Sequence, residues 1–228
     1  MIATLTRKRG IQSCMWKRRV LTTALALCAV PAAAQTFRQD VVVTAAATPV
    51  ELGTVTRTLT VITREQIARM PVHSIADVLR LTASVDVRAR GERGVQSDFA
   101  VRGATFGQML VLVDGVRLND AQSGHHNGDI PVPLEAVERI EILHGPGSSL
   151  FGADAFGGTV NVITRRETPA SGVLETGSFG LVRGEGQVGG TRGDVREMLA
   201  ASVDRSHGFM FDRGFTTAGA TSRTSIGD

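Results

Sequence analysis

The chain has 228 residues, 42% hydrophobic and 4% aromatic, with 25 basic residues against 22 acidic ones and two cysteines. This composition excludes collagen-like and low-complexity chains and leaves enough length for a domain with a real core. The formal charge of +3 is unevenly placed: Arg7, Lys8, Arg9, Lys17, Arg18 and Arg19 lie within the first 34 positions, which hold no acid. Without them 19 basic residues face 22 acids. The basic balance therefore belongs to the leader and gives no argument for nucleic acid as a partner.

Residues 1–34 read as a secretory signal peptide: a basic start, the apolar run "VLTTALALCAV", and small residues before a cut after Ala34. The apolar run is about 11 residues, too short to span a bilayer. Met15 offers an alternative start, since "MWKRRVLTTALALCAVPAAAQ" is a compact signal by itself. Both cysteines, Cys14 and Cys28, fall in this leader, so no disulfide or thiol chemistry is expected in the mature chain.

Residues 35–56 are small and almost uncharged and read as a flexible lead-in. They carry "DVVVTA" (40–45), a β-prone run with no evident partner strand beside it. "RTLTVIT" (57–63) predicts a strand. Thr63 and Gln66 have capping-box spacing for a short helix "REQIARM", and Ser74 and Asp77 repeat the device for "SIADVLRLTA". There Ile75, Val78 and Leu79 share one face. "DFAVRG" (98–103) predicts a strand, and "MLVLVDGVRLN" (109–119) a hairpin turning at Asp114-Gly115. "VPLEAVERIEILHG" (132–145) starts helical and becomes a strand, "PGSSLFGADAFGG" (146–158) is a glycine-rich loop, and "TVNVITRR" (159–166) is another strand. Residues 57–166 thus predict an α+β domain with a small mixed sheet and short helices. After Pro169 the pattern changes to alternating segments broken by glycines, with a turn expected over 189–193. That is the signature of antiparallel transmembrane β-barrel strands, with Phe179, Phe209, Phe211 and Phe215 as candidates for an aromatic girdle.

Four blocks occur in order: "DVVVTA" (40–45), "FAVRG" (99–103), "VLVDGVRLN" (111–119) and "VERIEILHGPGSSLFGADAFGGTVNVITRR" (137–166). In them the chain resembles the N-terminal part of a TonB-dependent outer-membrane receptor, closest to the cobalamin and siderophore receptors. The resemblance implies an α+β plug domain inside a barrel of about 22 strands. It also implies energy-coupled uptake of a metal chelate or vitamin across the outer membrane of a Gram-negative bacterium. The domains then read as signal peptide 1–34, flexible segment 35–56, plug 57–168, and first barrel strands 169–228. At about 9–11 residues per strand plus turns, the last 60 residues supply three or four strands, so the expectation is an incomplete, C-terminally truncated receptor. A soluble periplasmic plug-only binding module and a non-functional gene fragment are the alternatives.

The resemblance assigns Asp40, Val41, Val42, Val43, Thr44 and Ala45 as the TonB box, the strand to which a periplasmic TonB-type energy transducer adds its own. An ordinary first strand of the plug sheet is the alternative. Ligand contact is expected from two plug loops, with Phe106 and Gln108 in one and His125, His126 and Asn127 in the other. Adjacent histidines on an extended strand point to opposite faces, so joint ligation of one metal by His125 and His126 would require a turn, and no metal or other cofactor is assigned. Arg102, Arg117, Arg139, Arg165 and Arg166 recur at strand ends and are expected to anchor the plug to carboxylates of the barrel. "HGPGSSLFG" (144–152) is followed by Ala153 where a nucleotide-binding loop needs lysine, and "GEGQVG" (184–189) sits in β sequence. Ser148, Ser149, His144 and Asp154 are neighbours without an orienting arrangement, so no catalytic set is read and no enzyme is expected.

Overall fold

The computed structural model describes residues 42–43, 50–51, 58–91, 95–119, 125–146, 152–166 and 169–227. All belong to the second of two compact units, Asp40–Asp228, the first being Met1–Gln39. The expected signal peptide, the glycine-rich residues 147–151, and Asp40, Val41, Thr44 and Ala45 lie outside the described residues. Val42 and Val43 do have a partner within the chain: β1 (Val42–Val43) pairs antiparallel with β2 (Val50–Glu51). Two residues on each side make that ladder short.

The plug is built on a five-stranded sheet. β3 (Leu59–Thr63) runs into α1 (Arg64–Ile67), and Thr63 and Gln66 form the expected capping box. The helix is shorter than "REQIARM" suggests, because the chain turns at Ala68 ahead of Pro71. Ser74 then caps α2 (Ile75–Arg80), with the Asp77 amide donating to its hydroxyl at 3.1 Å. Ile75, Val78 and Leu79 form its buried face. β4 (Val85–Ala89) and β5 (Ser97–Val101) make a separate antiparallel pair. β4 has no clean alternation in "VDVRA", and its pairing with β5 supplies what the pattern lacks.

β6 (Met109–Val113) and β7 (Val116–Arg117) form the hairpin at Asp114 and Gly115. Both turn residues have positive φ, 51° and 82°, as the tight two-residue turn requires. A 3-10 turn at Leu134–Ala136 leads into β8 (Val137–His144), and β9 (Gly158–Thr164) closes the domain. The sheet order is β3-β8-β9-β6-β7. β6 and β9 run parallel and the other neighbours antiparallel, so the sheet is mixed, as expected. All seven residues of β9 are buried, which fits a strand covered on both faces.

Four strands follow as an antiparallel sheet in sequence order: β10 (Ser171–Gly177), β11 (Leu181–Arg192), β12 (Val195–Ser206) and β13 (Phe215–Ile226). The turn expected over 189–193 is confined to Gly193-Asp194, because β12 pairs with Gly189 and Gly190 and draws them into the ladder. Their low strand propensity is overridden by that pairing. Burial alternates along β12 and β13. Leu199 and Val203 are exposed on the outer face, whereas Met198 and Ala200 are buried on the inner one and join the plug's hydrophobic core. The sheet therefore forms a wall against which the plug packs, and among the described residues it does not close on itself.

Candidate functional site

The two loops expected to contact ligand come together. β5 places Asp98 beneath the 125–128 turn, where its side chain is 9% exposed. Its carboxylate accepts from the His126 amide at 3.0 Å and from Gln96 Nε2 at 2.9 Å, and lies 3.2 Å from His125 Nδ1. Burial pushes the Asp98 carboxyl up, but the hydrogen bonds from His125, Gln96 and the His126 amide outweigh it and hold it below its ordinary value. The His125 ring stacks on Phe106, with centroids 4.2 Å apart and planes at 25°. His126 has φ 65°, a turn conformation, and its Nδ1 lies 2.6 Å from Asp129.

Asn127 has a different role from the one its position suggested. It is buried, accepts from the Phe99 amide at 2.9 Å, and donates to the carbonyls of Phe99 and Phe106 at 3.0 and 3.2 Å. Its side chain thus substitutes for a strand along β5 and ties the two loops together. Gln108, half-buried, accepts the Thr105 amide at 3.1 Å as part of a capping box. Phe106, Gln108, His125 and His126 all keep part of their surface accessible. Gly128 explains how the turn approaches β5: a Cβ there would fall 2.7 Å from the Ser97 carbonyl oxygen. Among the described residues no group of three or more His, Cys, Asp or Glu side chains is placed to hold a metal ion.

Of the five candidate anchoring arginines, three have plug carboxylates within reach. Arg139 Nε donates to Glu141 at 2.7 Å, Arg117 pairs with Asp154 at 2.9 Å, and Arg165 Nε lies 3.9 Å from Glu138. Arg102 sits in a positive-φ turn and, like Arg166, is exposed. Arginines of the wall also join wall to plug. Arg183 donates to Glu175 and Glu185 at 2.8 and 2.7 Å and to the His73 carbonyl at 3.1 Å. The Glu135 amide donates to Glu185 at 3.2 Å. Arg223 donates to Asp114 at 2.5 Å and to the Thr164 carbonyl at 3.1 Å. Arginines in "GLVRGEG" and "ATSRTSI" carry no local mark of this role, which depends on contacts more than 50 residues away in sequence.

A cavity of about 700 Å³ lies between plug and wall. Asp77, Arg80 and Asp129 line it from the plug, and Glu185, Asp204 and Phe215 from the wall.

Residues 51–159 match the family described as TonB-dependent Receptor Plug Domain. Among solved structures, the pyoverdine outer membrane receptor FpvA from Pseudomonas aeruginosa PAO1 aligns at TM-score 0.66 and 22% identity, over 80% of this chain and 27% of that one. The alcaligin outer membrane receptor FauA from Bordetella pertussis aligns at 0.63 and 19%, over 80% and 31%. The ferric-catecholate import receptor Fiu from E. coli K12 aligns at 0.61 and 21%, over 79% and 26%. The chain thus spans 26–31% of the length of these three structures and shares their fold over that part.

Proposed function

We propose, from the premise that residues 51–159 belong to the TonB-dependent receptor plug domain family, that this chain forms the plug and first wall strands of a receptor for energy-coupled uptake of a metal chelate. A siderophore is favoured over cobalamin, because the structures it resembles are named as receptors for pyoverdine, alcaligin and ferric catecholate. The reading places the receptor in the outer membrane, where residues 40–45 couple it to a periplasmic TonB-type transducer. The observation that carries it is a five-stranded mixed sheet packed against a wall whose outer face exposes Leu174, Val182, Leu199 and Val203, while its inner face buries Arg183, Gln187 and Asp204 beside Met198 and Ala200. A plug seated on strands of that polarity suits a barrel in lipid.

At the ligand end, the stacked Phe106–His125 pair offers an aromatic face and an imidazole edge held by Asp98. Such a surface suits a flat, polar chelate. The test uses the full-length receptor, in cells whose growth depends on one supplied ferric siderophore. Val42→Pro removes a backbone donor from the coupling strand. Uptake is expected to fail while binding of the ferric siderophore to whole cells persists. Normal uptake by Val42→Pro overturns the coupling assignment, and absence of uptake by the unaltered receptor for every ferric siderophore and cobalamin tried overturns the transport reading.

A further inference from the structure

We infer that Asn127-Gly128 is a latent self-modification site: an asparagine–glycine pair that deamidates when the 125–128 turn lifts off β5 and is held inert while the turn is seated. Of the three asparagines in the sequence, Asn119, Asn127 and Asn161, Asn127 alone is followed by glycine. The chemistry is intramolecular and needs water as its one co-reactant. The Gly128 backbone nitrogen gives up its proton and attacks the side-chain carbonyl carbon of Asn127. A five-membered succinimide ring closes, and the side-chain nitrogen leaves as ammonia. Water then opens the ring at either carbonyl. One product is aspartate; in the other, isoaspartate, the main chain runs through the former side chain. Glycine favours the closure because no Cβ hinders the approach and its backbone reaches the geometry required.

The fold requires both members of this labile pair. The side chain at 127 must accept from the Phe99 amide at 2.9 Å and donate to the carbonyls of Phe99 and Phe106 at 3.0 and 3.2 Å. A carboxamide does both, whereas a carboxylate accepts and cannot donate. At 128 a Cβ would fall 2.7 Å from the Ser97 carbonyl oxygen, so the close approach of the turn to β5 demands glycine. The same contacts suppress the reaction. The Gly128 amide donates to the Ser97 carbonyl at 3.0 Å, so the nitrogen that must lose its proton is engaged as a donor. The Asn127 side chain is pinned at both its oxygen and its nitrogen and is 4% exposed. Its carbonyl carbon is held away from ring closure, and water is kept from the site. Asp98 secures the turn from below by accepting the His126 amide at 3.0 Å. The rate of conversion is therefore governed by the population of the opened turn.

The product does not reseat. An ionised carboxylate at 127 faces the Phe99 and Phe106 carbonyls with no proton to donate, and isoaspartate also adds an atom to the main chain where the turn fits most closely. Conversion therefore unties the Phe106 loop from the His125 turn for good. Its effect on ligand contact rests on reading these two loops as the ligand end of a receptor; the chemistry at 127 and 128 stands without that reading.

Peptide mapping by mass spectrometry on the purified full-length receptor, kept in detergent at mildly alkaline pH, tests this without uptake or a ligand. In guanidinium strong enough to unfold the plug, residue 127 is expected to convert from amide to acid while Asn119 and Asn161 keep their amides over the same time. In the folded receptor the conversion is expected to be at least about tenfold slower, because it waits on an unfavourable opening. Asp98→Ala removes the carboxylate beneath the turn and should recover much of the lost rate, with the strands intact by circular dichroism. A second measurement needs no variant: guanidinium added below the unfolding transition should speed conversion in step with hydrogen exchange at the Phe99 amide. Equal rates in folded and unfolded receptor overturn the inference. So does a conversion that accelerates without faster exchange at Phe99.

Discussion

At the scale of single residues, two buried polar side chains carry consequences that their sequence neighbourhoods conceal. Asn127 stands in a polar loop beside two histidines, where ligand contact was the natural expectation, yet its amide is spent on Phe99 and Phe106. Asn127→Ala leaves these backbone groups without partners, which costs about 1–3 kcal/mol for each one left buried. The expected outcome is a lower unfolding midpoint and faster exchange at the Phe99 amide. Weaker ligand binding with unchanged stability would instead return Asn127 to the binding surface. His144 lies 6% exposed, with Nε2 2.8 Å from the Thr60 hydroxyl and Nδ1 without a hydrogen-bond partner among the described residues. Burial, and then the nearby charge of Arg102, lowers its pKa. The folded state therefore binds fewer protons here than the unfolded one. Its contribution to stability is complete above about 6.5 and is lost as the pH falls through that value toward the folded-state pKa. Denaturant midpoints compared at about pH 7.5 and about pH 5.5 should fall on acidification, and less so in His144→Gln. An identical fall in that variant would assign the effect to other groups.

Among elements, what the sequence reveals is what neighbours along the chain determine. Thr63 with Gln66 and Asp114 with Gly115 announce a helix start and a hairpin, because the bonds that make them lie within three or four residues. β4 and the end of β11 are hidden for the opposite reason: their pairing partners, β5 and β12, are what hold them extended. The wall strands also show alternation acting as an instruction. On β12, Leu199 faces outward and is 54% exposed, while Ser202 lines the plug–wall cavity. In a full-length receptor folded into lipid vesicles, Leu199→Arg is expected to lose about 2–4 kcal/mol if that face meets the bilayer core, and Ser202→Arg less than about 1 kcal/mol. Guanidinium unfolding from the vesicles reads the difference. Equal losses at the two positions would sink the assignment of the outer face to lipid.

For the molecule as a whole, the four ordered motifs pointed to a plug and the alternation after Pro169 to the wall strands that follow it. The arginine contacts that join the two parts were not legible, because each depends on a register between distant strands rather than on a local pattern. Met198 and Ala200 of the wall complete the hydrophobic core of the plug. A plug separated from its wall would therefore expose part of that core to water, which favours the receptor reading over an independent binding module. The sheet order adds a mechanical consequence. Of the five strands of the plug's sheet, β3 comes first in sequence, it lies at an edge, and among the described residues it is held through one neighbouring strand, β8, over five pairs from Leu59↔Leu143 to Thr63↔Arg139. A strand drawn from one end of such an edge opens like a zipper, surrendering its pairs one after another, whereas a strand held on both sides must give up two ladders to come away.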